Sequence, residues 1–183
     1  MGMSEHGRIQ GLFTMNRKKG MSAMKGTGFP YTVRMAYESE WEAAMSLAWK
    51  TFLEFEAQDY SEEGIRSFED FIADPLLKRM FRLGAYQMFL AFHGSRVVGM
   101  ITLRSGFHIS LLFVDADYHR QGIGRLLMDR LCSYLRTEMG MHKVTVHASP
   151  YGLGFYRRLG FRELGEEMET DGIRYTPMEM PLL

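Results

Sequence analysis

The stretch that decides the fold is "DADYHRQGIGRLLMDRL", Asp115 to Leu131. Two glycines stand one residue apart between a basic run and a leucine-rich helical pattern. Ile123, Leu127, Leu131 and Leu135 recur four apart, with Leu126 and Tyr134 beside them, so one face of the segment is apolar. The other face carries Arg125, Asp129, Arg130 and Arg136. The spacing predicts a strand ending near Val114, a loop over Asp115–Arg120 and a helix starting around Gln121. The first amides of a helix have no intrahelical acceptor and sit at the positive end of the helix dipole. With Gly122 and Gly124 lacking side chains, and His119, Arg120 and Arg125 close by, a phosphate group fits directly on those amides. Close helix–sheet packing is the competing explanation for the glycines. Two common phosphate motifs fail here. No Gly-Lys-Ser/Thr follows, and Leu127 replaces the third glycine of the dinucleotide fingerprint, with His147 where an acidic residue should end the next strand.

Working outward, "HISLLFV" (108–114) is nearly continuously apolar and predicts a central strand buried on both faces. Upstream, "YTVRMA" predicts a short first strand, followed by a helix carrying Trp41, Met45, Ala48, Phe52 and Phe55. Ser61 caps a second helix that ends before Pro75. "YQMFLAFHGSRVVGMITLR" (86–104) reads as a hairpin with Gly94 at the first loop position of a type II′ turn. Downstream, "HKVTVHA" predicts a strand. In "SPYGLGFYRRLGF" (149–161), Ser149 reads as N-cap, Pro150 as first helical residue and Gly160 as the residue past the end. The C-terminal segment reads as two strands around an Asp171-Gly172 turn. The class is mixed α+β with one strand–helix–strand unit.

At 183 residues the length predicts a single domain over 31–183, preceded by a flexible or vector-derived extension over 1–30. Lys plus Arg equals Asp plus Glu, 22 each, so overall charge predicts neither a nucleic-acid nor a membrane partner. The single cysteine, Cys132, excludes an internal disulfide framework and points to a reducing, cytoplasmic location. No metal site is expected, because His142 and His147 lie five apart on one strand and face opposite sides.

Two motifs carry a resemblance. "LLFVDADYHRQGIGRLLMDRL" resembles motif A of the GNAT superfamily of N-acetyltransferases, with His119 where Gln or Arg is usual. "ASPYGLGFYRRLGF" resembles the family's motif B, with Gly152 for its Ala and with Phe155, Tyr156, Gly160 and Phe161 matching. The resemblance implies a mostly antiparallel twisted sheet splayed between its fourth and fifth strands, with helices on both faces. It implies acetyl-coenzyme A as co-substrate. The pyrophosphate would be held by His119, Arg120, Gln121, Gly122, Ile123, Gly124 and Arg125, and the pantetheine by the backbone of Leu112, Phe113 and Val114. Ser149 and Phe155 also belong to that side. Tyr156 is the implied general acid, protonating the departing thiolate. The acceptor would be a small-molecule or peptide amine, and the protein a monomer or homodimer.

For the acceptor side, Glu54, Glu56, Asp59 and Tyr60 are the candidates, at the junction of the first two helices. Residues 54–71 hold seven acidic side chains against Arg66 alone, and 163–171 add five more. This pattern predicts attraction of a cationic amine. A non-catalytic acyl-coenzyme A sensor, or an acyltransferase with another donor or acceptor, are the alternatives on the same fold.

Overall fold

The computed structural model describes residues 30–183, so the expectation for the N-terminal extension lies almost wholly outside the described residues. The elements run β1 (Tyr31–Met35), α1 (Trp41–Phe55), α2 (Glu62–Ala73), α3 (Pro75–Arg82), β2 (Gln87–His93), β3 (Arg96–Arg104) and β4 (His108–Val114). Then come α4 (Ile123–Thr137), β5 (Lys143–Ala148), α5 (Leu153–Leu159), β6 (Arg162–Glu163), β7 (Met168–Thr170) and β8 (Ile173–Pro181). Their sheet has the order β1-β2-β3-β4-β5-β8-β6, with β7 paired to β8. All neighbours are antiparallel except β4 and β5. That parallel pair is joined through α4, as a parallel crossover requires.

Apolar clusters cover both sheet faces. One is built from α4 and α5 against β1–β5, with Leu127, Leu131 and Leu135 fully buried. The leucine spacing read from the sequence is therefore the seam that docks α4. Removing one such side chain costs about 2–5 kcal/mol. The other cluster lies under α1, α2 and α3, where Trp41, Ala44, Met45, Ala48 and Phe52 form the buried stripe of α1. Ser61 caps α2, its hydroxyl accepting from the Gly64 amide at 3.2 Å. Helix α3 has no counterpart in the sequence reading. Asp74 caps it by accepting from the Leu76 amide at 2.7 Å, Pro75 opens it, and Leu77 buries its contact face. An Asp-Pro pair is a restart signal as well as a stop.

Both tight turns follow the reading. Gly94 (φ 59°) alone is left-handed between β2 and β3, as a type II′ turn needs, and Asp171 (φ 51°) and Gly172 (φ 76°) are both left-handed between β7 and β8. Contrary to the expectation of Ser149 as N-cap and Pro150 as first helical residue, the α-helix of α5 starts at Leu153 with Gly152 as N-cap. Pro150–Gly152 form a turn closed by Ser149, whose hydroxyl accepts from the Gly152 amide at 3.1 Å.

The central strand departs from expectation. Along β4, His108, Ser110, Leu112 and Val114 are only half-buried and alternate with the buried Ile109, Leu111 and Phe113. Register steps from Thr102↔Leu111 to Leu103↔Ile109, leaving Ser110 as the extra residue of a β-bulge. The bulge puts Leu111 and Phe113 in the α1 cluster although Ile109 is in the α4 cluster. Strands β4 and β5 pair only at His108↔Thr145 and Ile109↔Val146, so they part beyond Ile109. The half-buried residues line the space this opens. Among the described residues, no helix is long and apolar enough to cross a membrane.

Candidate active site

The parting of β4 and β5 opens a cleft of about 1310 Å³, lined by α1, α2, β4, the loop before α4, α5 and the β7–β8 hairpin. It is large for a single ligand pocket. It has room for an extended molecule with a second one meeting it.

At one end lies the start of α4. Gly122 is the N-cap with φ 84°, and the first intrahelical bond runs from the Leu126 amide to the Gly122 carbonyl. The amides of Ile123, Gly124 and Arg125 thus have no intrahelical acceptor. The two glycines do different jobs. Gly122 supplies a left-handed conformation that L side chains disfavour. A Cβ on Gly124 would lie 3.2 Å from the Phe155 ring, so that glycine lets α4 and α5 approach. Arg120 also takes a left-handed φ of 60°, a turn that brings the chain into α4.

Other residues of this group have separate roles. Arg120, Arg125, His119 and Phe155 line the cleft; Gln121 does not. The Gln121 amide group accepts from the Tyr31 hydroxyl and donates to the Asp117 carbonyl at 3.1 Å, tying the loop to β1. His119 Nε2 meets the Val114 carbonyl at 2.7 Å, and its ring lies 4.7 Å from that of Phe55. Asp115, at the start of the same loop, anchors it through its side chain. It is 5% exposed, accepts from Arg96 at 3.0 Å and from the Asp117 amide, and has Lys50 at 3.7 Å.

The edge of β4 follows from its pairing with β3. The Asp115 amide donates to Val98, so Gly99 and Val114 are a non-hydrogen-bonded pair, and so are Ile101 and Leu112. The backbone groups of Leu112 and Val114 therefore point into the cleft, whereas those of Phe113 bond β3. Of the three predicted backbone contacts, Leu112 and Val114 have the right orientation. Phe113 contributes its side chain, buried against Phe68 with ring centroids 5.8 Å apart.

In the middle, the segments just after α1 and β5, together with α5, bring Glu56, Tyr60, Ser149 and Tyr156 to the cleft. The partly buried Glu56 carboxyl lies within hydrogen-bond reach of the hydroxyls of Ser149 and Tyr60. Burial pushes it up to about 7; the Ser149 hydroxyl opposes that rise, the charge of Asp59 adds to it, and the Tyr60 hydroxyl opposes it. Tyr60 donates to the Arg174 carbonyl at 3.3 Å. Tyr156 is 6% exposed, with its ring edge-on to Phe155 and Phe161. Burial, then the nearby Glu56 charge, raise its phenol well above the usual range. A carboxyl pushed up to about 7 thus shares the cleft with a buried phenol whose deprotonation is disfavoured. The four acidic-junction candidates separate. Glu56, Tyr60 and the exposed Glu54 line the cleft, and Asp59 acts on Glu56 from outside its lining.

The far end holds residues that sequence reasoning missed or passed over. Phe68 and Phe71 of α2, Arg104 at the end of β3 and Tyr175 of β8 face the cleft. His108, at the start of β4, has its Nδ1 2.8 Å from the Thr145 hydroxyl. Burial, Arg104 and His147 together lower it to about 4, so it is neutral. His147 does not combine with His142. It stacks on Tyr175 at 4.1 Å and meets His108 edge-on at 4.7 Å. Only the fold brings these residues together, and no spacing along the chain signals it. Of the acidic segments, Glu54, Glu56 and Asp171 line the cleft, while Glu167 pairs with Arg174 and Glu163 with Arg157, each at 2.6 Å. Among the described residues no group of three or more His, Cys, Asp or Glu is arranged to hold a metal. Cys132 is half-buried in α4, and burial pushes its thiol up to about 11, away from nucleophilic use.

Comparison with known proteins places this geometry. The chain matches the acetyltransferase (GNAT) domain over residues 56–182. It is 30% identical over 98 residues to an acetyltransferase of Bacillus subtilis (strain 168), covering 52% of this chain and 66% of that protein. It is 36% identical over 78 residues to the glucosamine 6-phosphate N-acetyltransferase of Trypanosoma brucei brucei, covering 43% of this chain and 47% of that one. The chain thus aligns with between about half and two thirds of these relatives' length. Among solved structures, the PaiA N-acetyltransferase of Thermoplasma acidophilum, in complex with coenzyme A, superposes with a TM-score of 0.67 at 21% identity, covering 82% of this chain and 98% of that one. The domain match spans well over half of the sequence and coincides with the two motifs and the parted sheet: the chain belongs to the GNAT acetyltransferase family.

Proposed function

We propose that the protein transfers the acetyl group of acetyl-coenzyme A to a primary amine, on a small molecule or peptide, by direct attack in a ternary complex. The observation that carries this is the single cleft joining the open amides of α4 to the Glu56–Tyr156 pair. The site fits the donor. Three unpaired amides flanked by Arg120 and Arg125 suit a pyrophosphate. The outward backbone of Leu112 and the outward N–H of Val114, whose carbonyl His119 already meets, suit the amides of pantetheine, which would add to β4 as an extra strand. Arg158 also lines this end, whereas Arg157 is engaged by Glu163.

In this reading the Glu56 carboxylate takes a proton from the acceptor amine as nitrogen attacks the thioester carbon. The C–S bond breaks and Tyr156 gives its proton to the leaving sulfur. The reading invokes no covalent enzyme intermediate; Cys132 lies in α4, outside the cleft lining, and burial pushes its thiol up to about 11. Ser149, expected on the coenzyme A side, lines the cleft, closes the turn before α5 and hydrogen-bonds Glu56, so it also orients the base.

The test is release of free thiol from acetyl-coenzyme A in the presence of an amine panel, with the acetylated amine identified by mass. Amine-dependent release with a matching N-acetyl product is expected. Thermal stabilisation by acetyl-coenzyme A without release for any amine would instead indicate an acyl-coenzyme A sensor.

A further inference from the structure

The two ends of the cleft differ in how their cations are matched. Arg120, Arg125 and Arg158 flank the donor end, where phosphates explain them. Arg174 is held by Glu167. Arg104, at the opposite end, has no ion-pair partner among the described residues. It is exposed, lines the cleft and pairs in register with His108. Beside it His108, His147 and Tyr175 form a continuous aromatic wall.

We propose that Arg104, with His147 beside it, forms an anion subsite, so that the acceptor is an amine that also carries a carboxylate or a phosphate. The inference rests on the acetyl-transfer reading and specifies its substrate class. A guanidinium open to a cleft and facing no carboxylate matches a planar or tetrahedral oxyanion with two parallel N–H donors. The imidazoles add polarity with little competing charge, because burial and then Arg104 disfavour the protonated form of both rings. The His147–Tyr175 stack offers a flat surface for the body of the ligand. A purely cationic acceptor, expected from the twelve acidic residues of the two segments, would face Arg104 directly. Most of those acids lie outside the lining, and Glu56, pushed up to about 7, carries only part of a negative charge near neutral pH. An amine with an attached anion satisfies both Glu56 and Arg104.

Thiol release with matched acceptors tests this: an amino acid against its amide, and an amino-sugar phosphate against the free amino sugar, with wild type, Arg104→Gln and Arg104→Lys. One anionic member is expected to lead its neutral partner at least tenfold in kcat/KM, through KM. The preferred pair identifies carboxylate or phosphate. Arg104→Gln should erase the preference by about ten- to a hundredfold, the range of a charge-assisted hydrogen bond. Arg104→Lys should keep part of it, and stabilisation by acetyl-coenzyme A should report that both variants fold. Equal use of anionic and neutral amines by wild type and Arg104→Gln would overturn the subsite. If no amine releases thiol, the transfer reading fails, and the subsite is then read by calorimetry with the donor end saturated by coenzyme A. Binding of inorganic phosphate or an amino acid by wild type but not by Arg104→Gln sustains it; equal or absent binding overturns it.

Discussion

The two ends of the cleft, donor and acceptor in the proposed reaction, are built from different materials. The donor end is mostly backbone: three amides at the start of α4, a left-handed Gly122 and the outward edge of β4 beyond its bulge. The acceptor end is side chains, contributed by α1, α2, β3, β4, β5 and β8. A backbone site depends on a few conformational requirements and accepts many neighbours. A side-chain site depends on each residue, so it is where one acetyltransferase can differ from another on a shared fold. Substitutions at the two ends should therefore separate in their effects.

The largest effect is expected at Glu56. Glu56→Gln keeps the shape and removes the base, and kcat/KM for amine-dependent thiol release should fall about 10³-fold. Tyr156→Phe removes the acid while a thiolate remains a tolerable leaving group, so kcat should fall about 10²-fold with KM for acetyl-coenzyme A little changed. At the donor end the pattern should invert. Gly122→Ala forces a left-handed side chain at a cost of about 1–2 kcal/mol, and calorimetry should show acetyl-coenzyme A affinity reduced about tenfold. The smallest effect concerns stability. Glu56 has its carboxyl raised from 4.5 to about 7 in the folded state, so the fold binds the extra proton. Its stabilising contribution is complete below about 4.5 and is lost as pH rises through about 7. Glu56→Gln should thus raise Tm by a few degrees at pH 8, at about 2–4 °C per kcal/mol for a domain of this size, and little at pH 4.5. An equal Tm difference at both pH values would mean that Glu56 is not strained by burial.

The same division decides how much was legible in the sequence. Backbone requirements leave marks on single residues: Gly122 for its conformation, Gly160 ending α5 with φ 99°, Asp171-Gly172 as the hairpin turn, Ser61 as a cap. The leucines of α4 repeat at the helical period because one seam buries them all. The bulge at Ser110 was not legible, since it changes which face residues occupy without changing their hydrophobicity. This is why "HISLLFV" reads as a doubly buried strand although alternate residues are only half-buried and the strand lines the cleft. Glu56 stood among four candidates because its distinction, burial beside Ser149 and Tyr156, depends on residues about a hundred positions away. Nothing along the chain links Arg104 to His147. Their meaning comes from meeting across β3, β4 and β5.

The central claim is that Glu56 and Tyr156 perform proton transfer at the junction of the two ends. The pH dependence of kcat/KM for amine-dependent thiol release, in wild type and Glu56→Gln, tests it most directly. Wild type should show a limb that rises with pH and has its midpoint near 7, where the Glu56 carboxyl ionises, and Glu56→Gln should lack that limb at every amine concentration. The same limb in both proteins would remove Glu56 as the base and contradict the account.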